Sequence, residues 1–359
     1  MSRLLFFALT LSVTICAQEP IFDARARLVL TPVNVTATRG GPMDGLVASD
    51  FTLRDNGRPQ ALNVDSIGSG VAPVALAVAV QTSGISSAVL AKVQKIGSMI
   101  RPLVLGERGS MTLITFDSEV RFVQDWTADE SKISSAFRGL HAGSAKDSKL
   151  LDAALEAIAR LNAKRSARRI LLLISESRDR SSKADLNDVA FAAQQAGVVV
   201  YVAEYSAFRT GFTRKSTDSA GKAPRDEQAR PNPEYGTPSG GPPKDKYDPK
   251  MPPPAQRVDI LGALGELGRL GKEKASEILA RETGGLTFSF ARQKGLEEAI
   301  KKFGTDLHAQ YVLSFSPQNP EPGYHKLEVR VSRPGVVIRA RPGYWSDTST
   351  AVGWLIKEQ

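Results

Sequence analysis

Cysteine is all but missing from this 359-residue sequence: Cys16 stands alone, so no disulfide can form within the chain. Histidine is nearly as scarce. His141, His308 and His325 fall in no spacing that would supply a zinc site. The sequence also lacks a Gly-x-Ser-x-Gly nucleophile turn and a Walker-type phosphate loop. The carboxylates Asp117, Asp147 and Asp152 lie near expected loops, where they read as solvated or capping groups rather than as acid/base pairs. The expectation from these absences is that the chain is not an enzyme.

Long hydrophobic runs are missing too. The most apolar stretch, residues 4–15, is twelve residues, whereas a membrane-spanning helix needs about 20. Arg3 precedes that stretch and the small Ala17 follows it, so residues 1–17 read as a signal peptide. Export to the periplasm or beyond is therefore expected, with no transmembrane helix in the mature chain. Lipid anchoring through Cys16 is disfavoured, because Ile15 is bulky where a lipoprotein signal carries a small residue. Positive charge is in excess, 47 Lys and Arg against 38 Asp and Glu. It is spread along the chain without an aromatic-plus-basic motif, which argues against nucleic acid. Weak attraction to an anionic envelope surface is the expected consequence.

What is present has a clear order. Residues 21–69 read as a small β module: "RLVLTPVNVTAT" alternates as a half-buried strand does, and "DFTLRDNGRPQALNVDSI" places two short strands around Asn56-Gly57. Residues 73–308 alternate strands and helices. "PVALAVAV", "SMTLITF", "EVRFVQDW", "RRILLLIS" and "VVVYVAEY" are strands, several of them continuously apolar as buried parallel strands are. Helical spacing covers residues 86–103, 150–164 and 184–196, and later 259–283 and 295–308. The predicted fold is α/β, a doubly wound, mainly parallel sheet. Residues 208–257 interrupt it with about half of the 21 prolines, a composition expected of a disordered insertion. Residues 309–345 read as a C-terminal β meander that packs with residues 21–69, and residues 346–359 as a tail.

The first apolar strand runs into "QTSGISS", residues 81–87. This resembles the Asp-x-Ser-x-Ser loop of von Willebrand factor A (vWA) domains. "SKLLDA" at residues 148–153 is similar to the family's threonine-led helix start, and "SESRD" at residues 175–179 to its later "TDGxxD" turn. The flanking segments "LVASDFTLRDNGRPQAL", "RETGGLTFSF", "LHAQYVLSFSP" and "VVIRARPGYW" resemble bacterial VWFA-related secreted proteins. The resemblance implies an exported adhesion-type module that binds a protein partner at the C-terminal rim of the sheet. The alternative it leaves open is a structural or assembly component of a cell-envelope complex.

In complete family members these loops hold Mg²⁺, a hard ion that takes oxygen donors in octahedral geometry. Here the pattern is degenerate. Gln81 stands where an aspartate is usual and Ile85 where a serine is; Ser148 replaces threonine, Glu176 replaces aspartate, and Ser83 matches. One charge and one oxygen are lost. At about 4 Å and an effective dielectric of about 20, a pair of unit charges is worth about 4 kcal/mol before desolvation. The resemblance therefore implies a partner-binding rim of Gln81, Thr82, Ser83, Ile85, Ser86, Ser148 and Glu176. Ser83, Ser148 and Glu176 remain as a degenerate metal set that Ser86 or Asp179 could assist. No cofactor is expected, and Mg²⁺ at most weakly. Helix capping and loop tying by Ser83, Ser148 and Glu176 is the competing structural reading.

Overall fold

A computed structural model describes residues 28–66, 72–83, 87–145, 147–205, 274–290, 293–317 and 321–346. The expected signal peptide, the insertion at 208–257, the tail, Ile85, Ser86 and most of the helix expected at 259–283 lie outside the described residues.

The chain starts with β1 (Val29–Ala37), β2 (Phe51–Asp55), β3 (Arg58–Gln60) and β4 (Asn63–Ser66). Asn56 and Gly57 both have positive φ, 47° and 80°, the backbone of the tight turn that matches strand twist. The expected hairpin β2–β3 is paired across it.

A six-stranded sheet follows, in the order β10-β9-β8-β5-β6-β7. Its strands are β5 (Val74–Gln81), β6 (Ser110–Phe116), β7 (Val120–Thr127), β8 (Arg168–Ser175), β9 (Val198–Tyr205) and β10 (Thr287–Phe290). All neighbours are parallel except β7, which runs antiparallel at one edge. The fold is thus α/β with a mainly parallel, doubly wound sheet.

Side-chain size explains the two faces. All eight residues of β5 are buried. Leu76, Val78 and Val80 face one core with α1 (Ser87–Val93), α2 (Gly97–Ile100), α3 (Glu130–Arg138) and α7 (Gln293–His308). Ala75, Ala77 and Ala79 face the other, with α4 (Leu150–Asn162), α5 (Leu186–Gln195) and α6 (Ala275–Thr283). On α4 the facing residues include three small ones, Ala153, Ala154 and Ala157, beside Leu150, Leu151, Ile158 and Leu161. Alanine against alanine lets a helix approach a sheet closely, and interiors are packed at crystal-like density.

Two local expectations change. The helix expected over 86–103 is broken into α1, α2 and a wide turn at Arg101–Leu105 that carries Pro102 near its start. A Cβ at Gly97 would lie 2.9 Å from Phe137 Cβ, so glycine there permits α3 to pack close. α3 itself was not expected from sequence. Asp129 caps it, accepting from the N–H groups of Ser131 at 2.8 Å and Lys132 at 3.2 Å. Asp129→Ala is expected to cost about 1 kcal/mol, read as a lowered denaturant midpoint at unchanged m-value.

The chain closes with β11 (Gln310–Phe315), β12 (Gly323–Val331), β13 (Val336–Ala340) and β14 (Gly343–Ser346). These do not form the expected meander. They split between two small antiparallel sheets, β13-β1-β11-β4 and β14-β12-β2-β3. Each sheet mixes early and late strands, so the two ends of the described chain build one β module. Val33, Leu53, Leu313, Phe315 and Leu327 form its core. A meander would pair β11 to β12 to β13 in succession. β1 intervenes between β11 and β13, and β12 lies between β14 and β2.

Polar contacts join the module to the central sheet. Asp306 on α7 accepts from Arg339 at 2.5 and 2.6 Å and from the Tyr201 hydroxyl at 2.8 Å. Arg168 donates to Gln310 Oε1 at 3.1 Å, and Gln310 donates to Asn34 Oδ1 at 3.1 Å.

Candidate functional site

Along the chain β6 and β7 add to one side of β5, and the sheet then resumes with β8 on the other side. The strand order therefore reverses between β5 and β8. In open α/β sheets a crevice opens at this place, beyond the carboxyl ends of the strands. Gln81 ends β5 and Ser175 ends β8, so the sequence-predicted loops sit on either side of it.

The Gln81 side chain spans the crevice. Its Oε1 accepts the Glu176 N–H at 3.0 Å, and its Nε2 donates to Ser83 Oγ at 2.7 Å. The backbone donor fixes which end of the amide carries oxygen, so the nitrogen faces Ser83. Thr82 is tied to β6 through its N–H to the Phe116 carbonyl at 2.8 Å, and its own carbonyl accepts from Gly143 at 2.5 Å. A Cβ at Gly143 would fall 2.3 Å from Asp117 Oδ2, so this loop closes only with glycine.

Ser148 joins the group through its backbone, its carbonyl accepting from the N–H of Arg180 at 3.0 Å and of Ser181 at 3.3 Å. Its buried hydroxyl has no hydrogen-bond partner among the described residues. Glu176 is 8% exposed, and its Oε2 pairs with Arg180 Nη2 at 3.1 Å. Asp117 takes two bonds from Arg121 Nη1, at 2.9 and 3.0 Å. Burial alone would raise the Asp117 carboxyl, but the Arg121 hydrogen bonds and charge outweigh it and hold the pKa below its ordinary value.

Asp179 and Asp152 act as loop ties. Asp179 accepts from the Leu151 N–H at 3.2 Å and the Ser182 hydroxyl at 2.6 Å. Asp152 accepts from the N–H groups of Lys183 and Ala184 at 3.0 and 2.9 Å. The capping reading thus describes these two carboxylates. Asp147 is exposed.

Gln81, Thr82, Ser83, Ser148 and Glu176 are therefore gathered at one end of the sheet, and all are buried. They form the floor of the crevice. What faces solvent around them is Asp147, Arg178 and Arg180. Sequence reasoning missed Arg180, because a four-residue spacing brings side chains together on a helix and residues 176–180 form a loop.

Two features of the described loop residues bear on a divalent ion here. A neutral amide stands in the first position with its N–H₂ end toward Ser83, and Glu176 already has a guanidinium as counter-ion. Among the described residues no group of three or more His, Cys, Asp or Glu side chains is arranged to hold a metal.

The sheet order defines a class, the doubly wound α/β proteins with a topological switch point between β5 and β8. No family model matches the chain, and no curated protein does. Solved structures do. An aerotolerance-related membrane protein from Bacteroides fragilis NCTC 9343 is 13% identical with a TM-score of 0.38, covering 64% of this chain and 98% of its own. The conserved hypothetical protein BatB from Bacteroides thetaiotaomicron is 16% identical at a TM-score of 0.33, with the same coverage, 64% and 98%. The vWF domain of a type V pili tip protein from Porphyromonas gingivalis is 16% identical at a TM-score of 0.27, covering 31% of this chain and 40% of its own.

Proposed function

We propose that this chain is an exported vWA-type module, a binding protein rather than an enzyme, that takes a protein partner at the rim above Gln81 and Glu176 without a divalent metal. The observation that carries the reading is the Gln81 bridge. It closes the crevice between β5 and β8 with a neutral amide, and Arg180 supplies beside Glu176 the positive charge that a bound cation would bring. Partner contact then falls to the exposed Arg178 and Arg180, with the buried polar residues holding their loops in place. The leader at residues 1–17 supports export, and no described helix is long and apolar enough to cross a membrane.

Calorimetric titration tests the metal part. No saturable Mg²⁺ or Mn²⁺ binding is expected below about 1 mM, and Gln81→Asp, which restores a carboxylate, is expected to gain at least about tenfold in affinity because of the added opposite charge. Saturable binding by the unaltered protein below that concentration refutes it. A pull-down from envelope extract tests the partner part. Arg180→Glu is expected to release the captured protein. Release only on disrupting the β module would instead support the envelope-assembly role.

A further inference from the structure

Arg341 lies between β13 and β14 and is 7% exposed. Its Nε is buried with no hydrogen-bond partner, and its guanidinium forms no hydrogen bond or ion pair with any described residue. Its nearest ring is that of Tyr344, with the centroid 5.7 Å from Cζ. The Tyr344 hydroxyl is already committed to Asp55 at 2.7 Å. Burial pulls the Arg341 pKa down to about 10, against the smaller upward pull of the nearby Tyr344 and Tyr324. Tyr324 offers no counter-charge, because burial and then Glu282 push its hydroxyl up to about 12.

A buried guanidinium without an acceptor is costly, and structures rarely keep one without a use. Arg341 also lines a cleft of about 530 Å³. The cleft exists because β12 and β13, consecutive in the chain, enter different sheets and so diverge. Leu327 and Val329 from β12, Ile338 and Ala340 from β13, and Pro342 give it apolar patches, and Arg330 lines it as an exposed second cation. Glu328 also lines it, paired with Lys326 at 3.4 Å.

We propose that this cleft is a carboxylate-binding site, with Arg341 as the anchoring cation and the apolar walls holding the body of the ligand, as the C-terminal residue of a peptide would require. A guanidinium meets a carboxylate through two parallel N–H···O bonds, which would satisfy the orphaned Nε. Arg341 and the exposed Arg330 against Glu328 leave one net positive charge on the lining, which matches a monoanion better than a phosphate dianion.

Butyrate, a carboxylate on a short apolar tail, is the probe. The test follows the Arg341 Nε–H resonance of the full chain by NMR, identified by its loss in Arg341→Lys. Sodium butyrate is expected to shift it saturably at about 1–10 mM, the range for so small a ligand. Sodium chloride at equal ionic strength is expected to leave it in place. Butyrate should also raise the Tm of the unaltered protein but not that of Arg341→Met. That variant should melt no lower than the parent, since it removes an uncompensated buried charge. No saturable shift with butyrate overturns the proposal, as does a response to phosphate alone. An Arg341→Met Tm lowered by more than about 5 °C overturns it by making Arg341 a structural residue.

Discussion

Replacing Asp306 by alanine is expected to lower stability by about 3–5 kcal/mol, the cost of leaving a buried partner unpaired. In a folded unit of this size that is a fall in Tm of roughly 10 °C. The Arg339 Nη2 and the Tyr201 hydroxyl lose their acceptor at once, while Arg339 Nη1 keeps its bond to the Gly284 carbonyl. Arg339, whose side chain is 22% exposed, gives up both of its bonds to the carboxylate. The buried Tyr201 hydroxyl gives up its bond as well. Burial, with Asp306 next, already pushes the Tyr201 hydroxyl far above its ordinary pKa, so it stays protonated, and without Asp306 its proton loses the acceptor it has here. Because Asp306 sits on α7, Tyr201 on β9 and Arg339 on β13, the loss also loosens the β module against the central sheet. Asn34 still donates to the Asp306 backbone carbonyl at 2.7 Å, and this bond survives the substitution. Chemical denaturation of Asp306→Ala, with hydrogen exchange on β13, checks the prediction. Unchanged stability would mean that the module is held by its apolar contacts alone.

Gly285→Ala is expected to be at least as damaging, about 3 kcal/mol or more, at the upper end of what overpacking costs. An alanine Cβ would lie 1.8 Å from the carbonyl oxygen of Val200 and 2.7 Å from its carbon. Both are main-chain atoms of β9, a strand buried along nearly all its length, and neither can swing aside as a side-chain tip would. Either β10 leaves the sheet edge or β9 bends. Gly284 beside it makes a useful comparison. It caps α6 with φ of 79°, and its Cβ would lie 2.9 Å from the Arg341 nitrogen. Gly284→Ala therefore also carries a left-handed strain of about 1 kcal/mol, but its clash is milder. The expected order of Tm is parent, Gly284→Ala, Gly285→Ala, with early exchange of β10 amides in the last.

The sequence-based reading of the central sheet rested on runs such as "VALAVAV" and "RRILLLIS", whose continuous apolarity admits few structures other than a buried strand. The Asn-Gly turn was equally legible, because two residues at positive φ suffice to specify it. α3 was not. Only Ile133 and Phe137 are buried on it, too few for a periodic signal in nine residues. At the crevice, residue types alone suggested which side chains would gather. They did not indicate that Gln81, Ser83 and Ser148 would be buried or that Arg180 would face Glu176, because burial depends on how neighbouring loops cover a position.

The β module marks the same boundary. Each of its strands has the alternation of a half-buried ribbon, but period two carries no information about which partner lies alongside. His325 meets Asp55 across 270 residues and Tyr344 meets the same carboxylate across 289. No local pattern encodes such a meeting. The sequence by itself determined the buried strands and the longer helices such as α4, since hydrophobic period and turn chemistry act over a few residues. Only the tertiary structure decided that β12 and β13 part company and leave Arg341 Nε without an acceptor among the described residues, because buried charges find or lack their counterparts through space rather than along the chain.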